Sequence, residues 1–260
     1  MKTFATLALL ALPATVGQSA DFKDSLLSTV VEEELVDTPA IAVAPNGNFL
    51  VYARRHKPLP NEGMILESAD MGKTWQKIHS FGSGPKAHYG PSFFTLDDEL
   101  YLFLLCYNTP DTGDLALFKS RDNGHTWTKT ILVRGEDGGK RSTTGNGPIL
   151  VTPDRVVFGF SDWGGKGSSF PKPGRIACGW CPRDKDLMDA RNWSWTEPLQ
   201  IPDPNSAPHD EGGWLEPNPI LAPNGDLMLL ARVDSSEGEL GAIARVDMEN
   251  KKVMFEDRFP

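Results

Sequence analysis

Short apolar or alternating runs, separated by Gly, Pro, Asn and Asp, fill almost the whole chain, and helical periodicity is nearly absent. One pattern returns four times. It reads PAIAVAPNGNFLVYARR from Pro39, PSFFTLDDELYLFLLCYN from Pro91, PILVTPDRVVFGFSD from Pro148 and PNPILAPNGDLMLLARVD from Pro217. Each copy predicts a strand, a tight turn and a second strand, the turns lying at Asn46-Gly47, Asp97-Asp98, Asp154-Arg155 and Asn224-Gly225. Asn-Gly is the strongest of these signals, because both residues accept positive φ.

Two more runs follow each hairpin. MILESAD, LALFKSRD, RIACGWCPRD and GAIARVDMEN predict third strands; TWQKIHSF, TWTKTILV, NWSWTEPL and KKVMFED predict fourth strands. Four strands repeated four times predict an all-β fold of the β-propeller type, with about four blades in this chain. A β-sandwich also has many short strands, but it does not return to one four-strand grammar.

The octamers SADMGKTW and SRDNGHTW bridge the third and fourth runs of the first two copies. Their residue types suit a turn. Asp70 and Asp122 can bond backbone N–H groups of their own turn, with Ser68, Thr74, Ser120 and Thr126 tying the ends. Gly72 and Gly124 supply positive φ, and Trp75 and Trp127 pack between blades. These residues are read as architectural and not catalytic. CPRDKDLMDARNW and RVDMENKKVMF read as degenerate copies in the third and fourth blades.

Hydrophobic content of 39%, charged content of 23% and a formal charge of −9 describe a soluble globular protein without the basic footprint of a nucleic-acid binder. The N-terminus, MKTFATLALLALPATVGQSA, has a basic start, a short apolar run and small residues. It reads as a secretory signal peptide (residues 1–20, cleaved between Gly17 and Ala20) and not as a membrane anchor. Residues 21–260 are then one propeller domain, expected to be incomplete at its C-terminus, with open blade edges that invite self-association. Secretion fits the N-glycosylation sequon at Asn192. Cys178-Gly-Trp-Cys181 has CxxC spacing in a strand-like stretch, read as a local disulfide or two buried thiols; Cys106 stands alone. No cofactor motif and no metal-ligand spacing is present.

At this point the chain resembles the sialidase (neuraminidase) superfamily, whose six-bladed propellers carry the Asp-box octamer. The resemblance covers about residues 35–260 and extends to WLEPNPILAPNGDLMLLAR. It implies that Glu216 is the base activating a tyrosine nucleophile and that Arg232 belongs to a trio gripping a sugar carboxylate. The bare alternative for Glu216 and Arg232 is a cross-strand ion pair. The family places an arginine where this chain has Asp37, and its acid/base aspartate has no counterpart in KPLPNEGMILESAD, where Glu62 is the nearest carboxylate. The third arginine and the tyrosine would come from blades beyond the fourth.

Arg54 stands as far from Pro39 as Arg232 does from Pro217. With Arg55, His56 and Lys86 it would attract an anionic sugar; the plainer reading is a solvated loop. His88 and Tyr89, beside Asp37, Asn146 and Asp162-Trp163 at matching blade positions, complete the expected substrate face. His209 lies in a polar loop that could approach it, whereas His79 and His125 are read as solvated beside the Asp-box turns. Three functions follow: a secreted sialidase-like glycoside hydrolase on a terminal acidic sugar, a non-catalytic carbohydrate-binding propeller, or a lyase on uronic-acid glycans using His88 or Tyr89.

Overall fold

The computed structural model describes residues 36–55, 62–83, 88–109, 112–135, 142–144, 148–162, 175–199, 214–235 and 238–259. The stretch read as a signal peptide, His56, Lys86, Asn146, Trp163 and His209 lie outside these residues. Antiparallel sheets account for nearly all of the described chain, in the meander order of a propeller blade. Blade 1 holds β1 (Val36–Val43), β2 (Phe49–Arg55), β3 (Glu62–Ser68) and β4 (Gln76–Ser83). Blade 2 holds β5 (His88–Leu96), β6 (Glu99–Thr109), β7 (Thr112–Ser120) and β8 (Thr128–Val133). Blade 4 holds β14 (Trp214–Leu221), β15 (Leu227–Ser235), β16 (Gly238–Asp247) and β17 (Lys252–Phe259). The expected four-blade grammar is thus the observed one.

Blade 3 departs from it. Its inner strand is split into β9 (Ser142–Thr144) and β10 (Leu150–Val151), both paired with β11 (Arg155–Asp162); β12 (Arg175–Pro182) and β13 (Ser194–Trp195) complete the sheet. β9 was not expected, because three residues of Ser and Thr leave no periodic signal.

Alternation along each strand sends one set of side chains to each neighbouring blade. Leu50, Tyr52 and Ile65 of blade 1 meet Leu100, Leu102 and Leu104 of blade 2. Phe103, Leu115 and Leu117 of blade 2 meet Phe158, Phe160 and Ala177 of blade 3, with Phe103 and Phe158 stacked 4.1 Å apart. Val157, Ile176 and Cys178 meet Leu229, Ala242 and Ala244 of blade 4. The blades therefore pack face to face through three separate cores.

Both Asp boxes form the same bonded turn. Ser120 Oγ donates to Asp122 Oδ1 (2.8 Å) and accepts from Gly124 N (2.8 Å), while Asp122 accepts from Thr126 N and Oγ1 (2.8 and 2.6 Å). Ser68, Asp70, Gly72 and Thr74 repeat this pattern. Gly72 and Gly124 have φ of 88° and 95°, and Trp75 and Trp127 each donate through Nε1 to the glycine carbonyl. Trp127 sits in the blade 1–2 core, and Trp193 takes the same position between blades 2 and 3, donating to Leu187 O (2.9 Å). In blade 4 the degenerate turn survives as Asp247 accepting from Asn250 N (2.9 Å).

Of the two readings of the CxxC pair, the buried thiols hold and the local disulfide does not. Cys178 and Cys181 are free buried thiols, as is Cys106. Three residues apart on β12, Cys178 and Cys181 point to opposite faces, one into the blade 3–4 core and the other into the blade 2–3 core, so no local disulfide can form. His79, read as solvated, is half-buried: its ring packs edge-on against Phe81 (4.7 Å), and its Nδ1 donates to His125 O (3.0 Å).

Candidate functional site

The inner strands of blades 1, 2 and 4 carry the same irregularity. Thr38-Pro39 opposes the single residue Ala53, Gly90-Pro91 opposes Leu104, and Glu216-Pro217 opposes Ala231; the register shifts at each of these pairs. In blade 3 the break between β9 and β10 falls at the same level. Proline explains the location, since it cannot donate to the ladder and is tolerated at a bulge. A bulge bends the strand and re-aims the residue beside it. All four therefore mark one end of the blades, opposite the end that carries the Asp boxes.

At this end the bulged position of blades 2 and 4 takes a left-handed backbone. In blade 2 it is Gly90, with φ 60°. In blade 4 it is Glu216, with φ 52°. Glycine takes this region freely, whereas another L-residue pays about 1–2 kcal/mol. Glu216 is fixed from both sides: its N–H donates to Ser161 Oγ on β11 (3.0 Å), and its carbonyl accepts from Asn218 Nδ2 (3.0 Å). Its carboxylate Oε2 lies 3.4 Å from Arg232 Nη1, with the two side chains 43% and 41% exposed. At that exposure the ion pair contributes little to stability and a ligand can reach both groups.

Leu215 is the register partner of Arg232, so Arg232 lies on β15 beside the bulge, before the strand runs on to Ser235. Arg54 occupies the matching place in blade 1, directly opposite Asp37. It is buried at 7% exposure, on the side of β2 that Leu50 and Tyr52 share toward blade 2. His88 and Tyr89 open β5, opposite Cys106 and Leu105, just before the Gly90 bulge. The backbone thus brings Asp37, Arg54, His88, Tyr89, Glu216 and Arg232 to the same end of their blades.

Arg55 and Glu62 are also at this end but are committed to each other. Arg55 Nη2 donates to Glu62 Oε2 (2.7 Å), and Lys77 Nζ (3.1 Å) and Ser80 Oγ (2.8 Å) hold the other oxygen. Burial raises the Glu62 pKa, yet the bonds from Ser80 and Lys77 and the nearby Arg55 charge leave it below the usual carboxylate value. A general acid needs the reverse, and these contacts make Glu62 a strut of blade 1. Asn192 lies at the end of a single 3-10 turn (Ala190–Asn192), its amide donating to Asp186 O (2.9 Å).

Sequence reasoning missed Ser161 and Asn218. Asn218 was within reach, since it follows Glu216 by two; Ser161 gave no signal, because its link to Glu216 exists only once blades 3 and 4 pack.

No protein-family model matches the chain, and no curated protein does either. Solved structures do. An α-L-arabinanase of Penicillium chrysogenum complexed with arabinobiose is 19% identical, with a TM-score of 0.53 over 82% of this chain and 63% of that one. An α-L-arabinofuranosidase from Lactobacillus brevis is 12% identical, with a TM-score of 0.58 over 86% and 76%. A GH93 α-L-arabinofuranosidase of Fusarium graminearum with arabinobiose is 12% identical, with a TM-score of 0.53 over 86% and 66%. The likeness at such identities is one of fold, and the chain spans less than two thirds of the Penicillium and Fusarium proteins.

Proposed function

We propose that this chain is a carbohydrate-active propeller hydrolase that cleaves a terminal glycosidic bond, with Glu216 as its catalytic carboxylate. One observation carries the reading: Glu216 occupies, at φ 52°, a bulge position that blade 2 fills with Gly90. Strain of this kind collects where a side chain is needed for function, since the fold alone would be better served by glycine. Glu216 then acts as a general base, taking the proton of the attacking hydroxyl as its oxygen bonds the anomeric carbon and the glycosidic C–O bond breaks. The leaving oxygen takes a proton from water, and Arg232 holds an acidic group of the sugar. Before substrate arrives Arg232 rests against Glu216; a substrate carboxylate replaces that contact and leaves Glu216 free to accept the proton.

In its finer form the proposal is an exo-acting, sialidase-like enzyme on a terminal acidic sugar, with Arg54, Asp37, His88 and Tyr89 lining the same end. His56 and Lys86 belong to this proposal by sequence position alone. Secretion, glycosylation at Asn192 and self-association through open blade edges are part of it, with Ile41 and Val43 on β1 69% and 55% exposed. A second reading, arabinofuranose as the sugar, is favoured by the arabinose-directed structural neighbours.

The test is initial-rate hydrolysis of fluorogenic α-sialoside, α-L-arabinofuranoside and β-galactoside by the full chain and by Glu216→Gln. Turnover of one class, reduced at least ~1000-fold in the variant, is expected. Glycan binding without product would sink the hydrolase and leave a binding propeller; an unsaturated product absorbing in the ultraviolet would point instead to elimination.

A further inference from the structure

Glu216 is held in a conformation that its own side chain disfavours, and Pro217 narrows its backbone choices further. Three features of its surroundings are more specific than blade packing requires. Ser161, 1% exposed, aims Oγ from the neighbouring blade at the Glu216 N–H. Gly159, two residues earlier on the same strand, lets blade 3 approach the Pro217 carbonyl so closely that a Cβ there would overlap the oxygen. Asn218 gives its amide N–H to the Glu216 carbonyl while its own Oδ1 is buried with no hydrogen-bond partner among the described residues.

A buried acceptor without a partner is costly, and an apolar residue of similar size would avoid that cost. Asn218 sits on the half-buried side of β14 shared with Leu230, its register partner. Its donor end is what the site uses. Both peptide groups flanking the Glu216 Cα are thereby bonded, one across the blade junction and one within blade 4. Relaxation of Glu216 to an extended φ would break both bonds and turn its carboxylate away from Arg232.

We propose that Ser161 and Asn218 are positioning residues that clamp Glu216 in its left-handed conformation and so hold its carboxylate at the reaction centre. The proposal rests on the reading of Glu216 as the catalytic carboxylate. Neither residue touches substrate; each acts through the backbone of Glu216. The site therefore belongs to two blades, and the junction between blades 3 and 4 sets its geometry.

The test uses the full chain with Ser161→Ala, Ser161→Thr and Asn218→Ala, each made in the wild type and in a Glu216→Gly background. On whichever glycoside the wild type hydrolyses, the two alanine variants are expected to lower kcat about tenfold or more with KM within about twofold, because a small misplacement of a catalytic group is expensive. Ser161→Thr, which keeps the acceptor, restores most of kcat. Glu216→Gly alone abolishes turnover yet raises Tm by about 2–4 °C, by releasing the strain. In that background the alanine changes cost less than about half the Tm they cost in the wild type, since glycine needs no clamp. Unchanged kcat in both alanine variants, or equal Tm losses in the two backgrounds, overturns the clamp. A wild type that hydrolyses no glycoside defeats the hydrolase reading alone; the Tm comparison, which needs no substrate, then decides the clamp.

Discussion

Ser68 and Ser120 each accept a glycine N–H (2.7 and 2.8 Å) and donate to an aspartate, inside turns that are otherwise on the surface. Ser120→Ala would strand the buried Gly124 N–H and cost about 1–3 kcal/mol, read as a lower urea midpoint, with kcat unchanged because the turn lies at the far end of the blade. Such turns are legible in sequence, since every bond spans six residues or fewer and residue type dictates each one. Glu216 and Arg232 are legible as a pair for the same local reason: one hairpin joins them. The left-handed φ of Glu216 is not, because the partner of its N–H, Ser161, comes from another blade. Arg232→Ala should raise KM for an acidic sugar about tenfold or more, through loss of a charge-assisted contact, and leave KM for a neutral sugar nearly unchanged. Equal effects on both sugars would remove Arg232 from carboxylate recognition.

At the scale of strands and sheets, pairing was readable because turn residues and apolar runs recur with the blade, whereas the split of β9 from β10 was not, since nothing apolar marks it. The CxxC spacing shows how a motif yields to its element. In a turn or at a helix start it would close a disulfide; along β12 it divides its cysteines between two cores. Burial pushes the Cys181 thiol, near Asp186, Asp184 and Asp189, and the Cys106 thiol up to about 11. Thiol reagents at pH 8 should therefore label none of the three cysteines until the chain unfolds, and reductant should leave Tm where it was. Between sheets the tightest constraint is Gly159 against Pro217. Gly159→Ala must push blade 4 outward, and a loss of about 3 kcal/mol in denaturant unfolding, accompanied by loss of turnover, is the expected result.

Across the whole molecule, three inter-blade cores carry the fold and a set of charged networks closes its surface. Asp70 is held down to about 2 by its Thr74 and Ser68 bonds. Glu99, although burial raises it, is brought down to about 2 by Lys119, Arg121 and Tyr101. Carboxylates depressed in the folded state stabilise it above their unfolded values of 3.8 and 4.5, and this contribution is lost as pH falls toward 2. Tm should thus stay level from neutral pH to about pH 5 and decline steeply below it. The blade ends that bear the bulges, opposite the Asp boxes, are the only place where Glu216, Arg232 and Arg54 come to a common level among the described residues. The most direct measurement is a crystal structure of Glu216→Gln with the oligosaccharide that the wild type cleaves. The expected result is a sugar seated at the bulge end, its terminal residue within hydrogen-bonding distance of Arg232 and of the side chain at position 216. A sugar bound at the Asp-box end, with the bulge end empty, would contradict it.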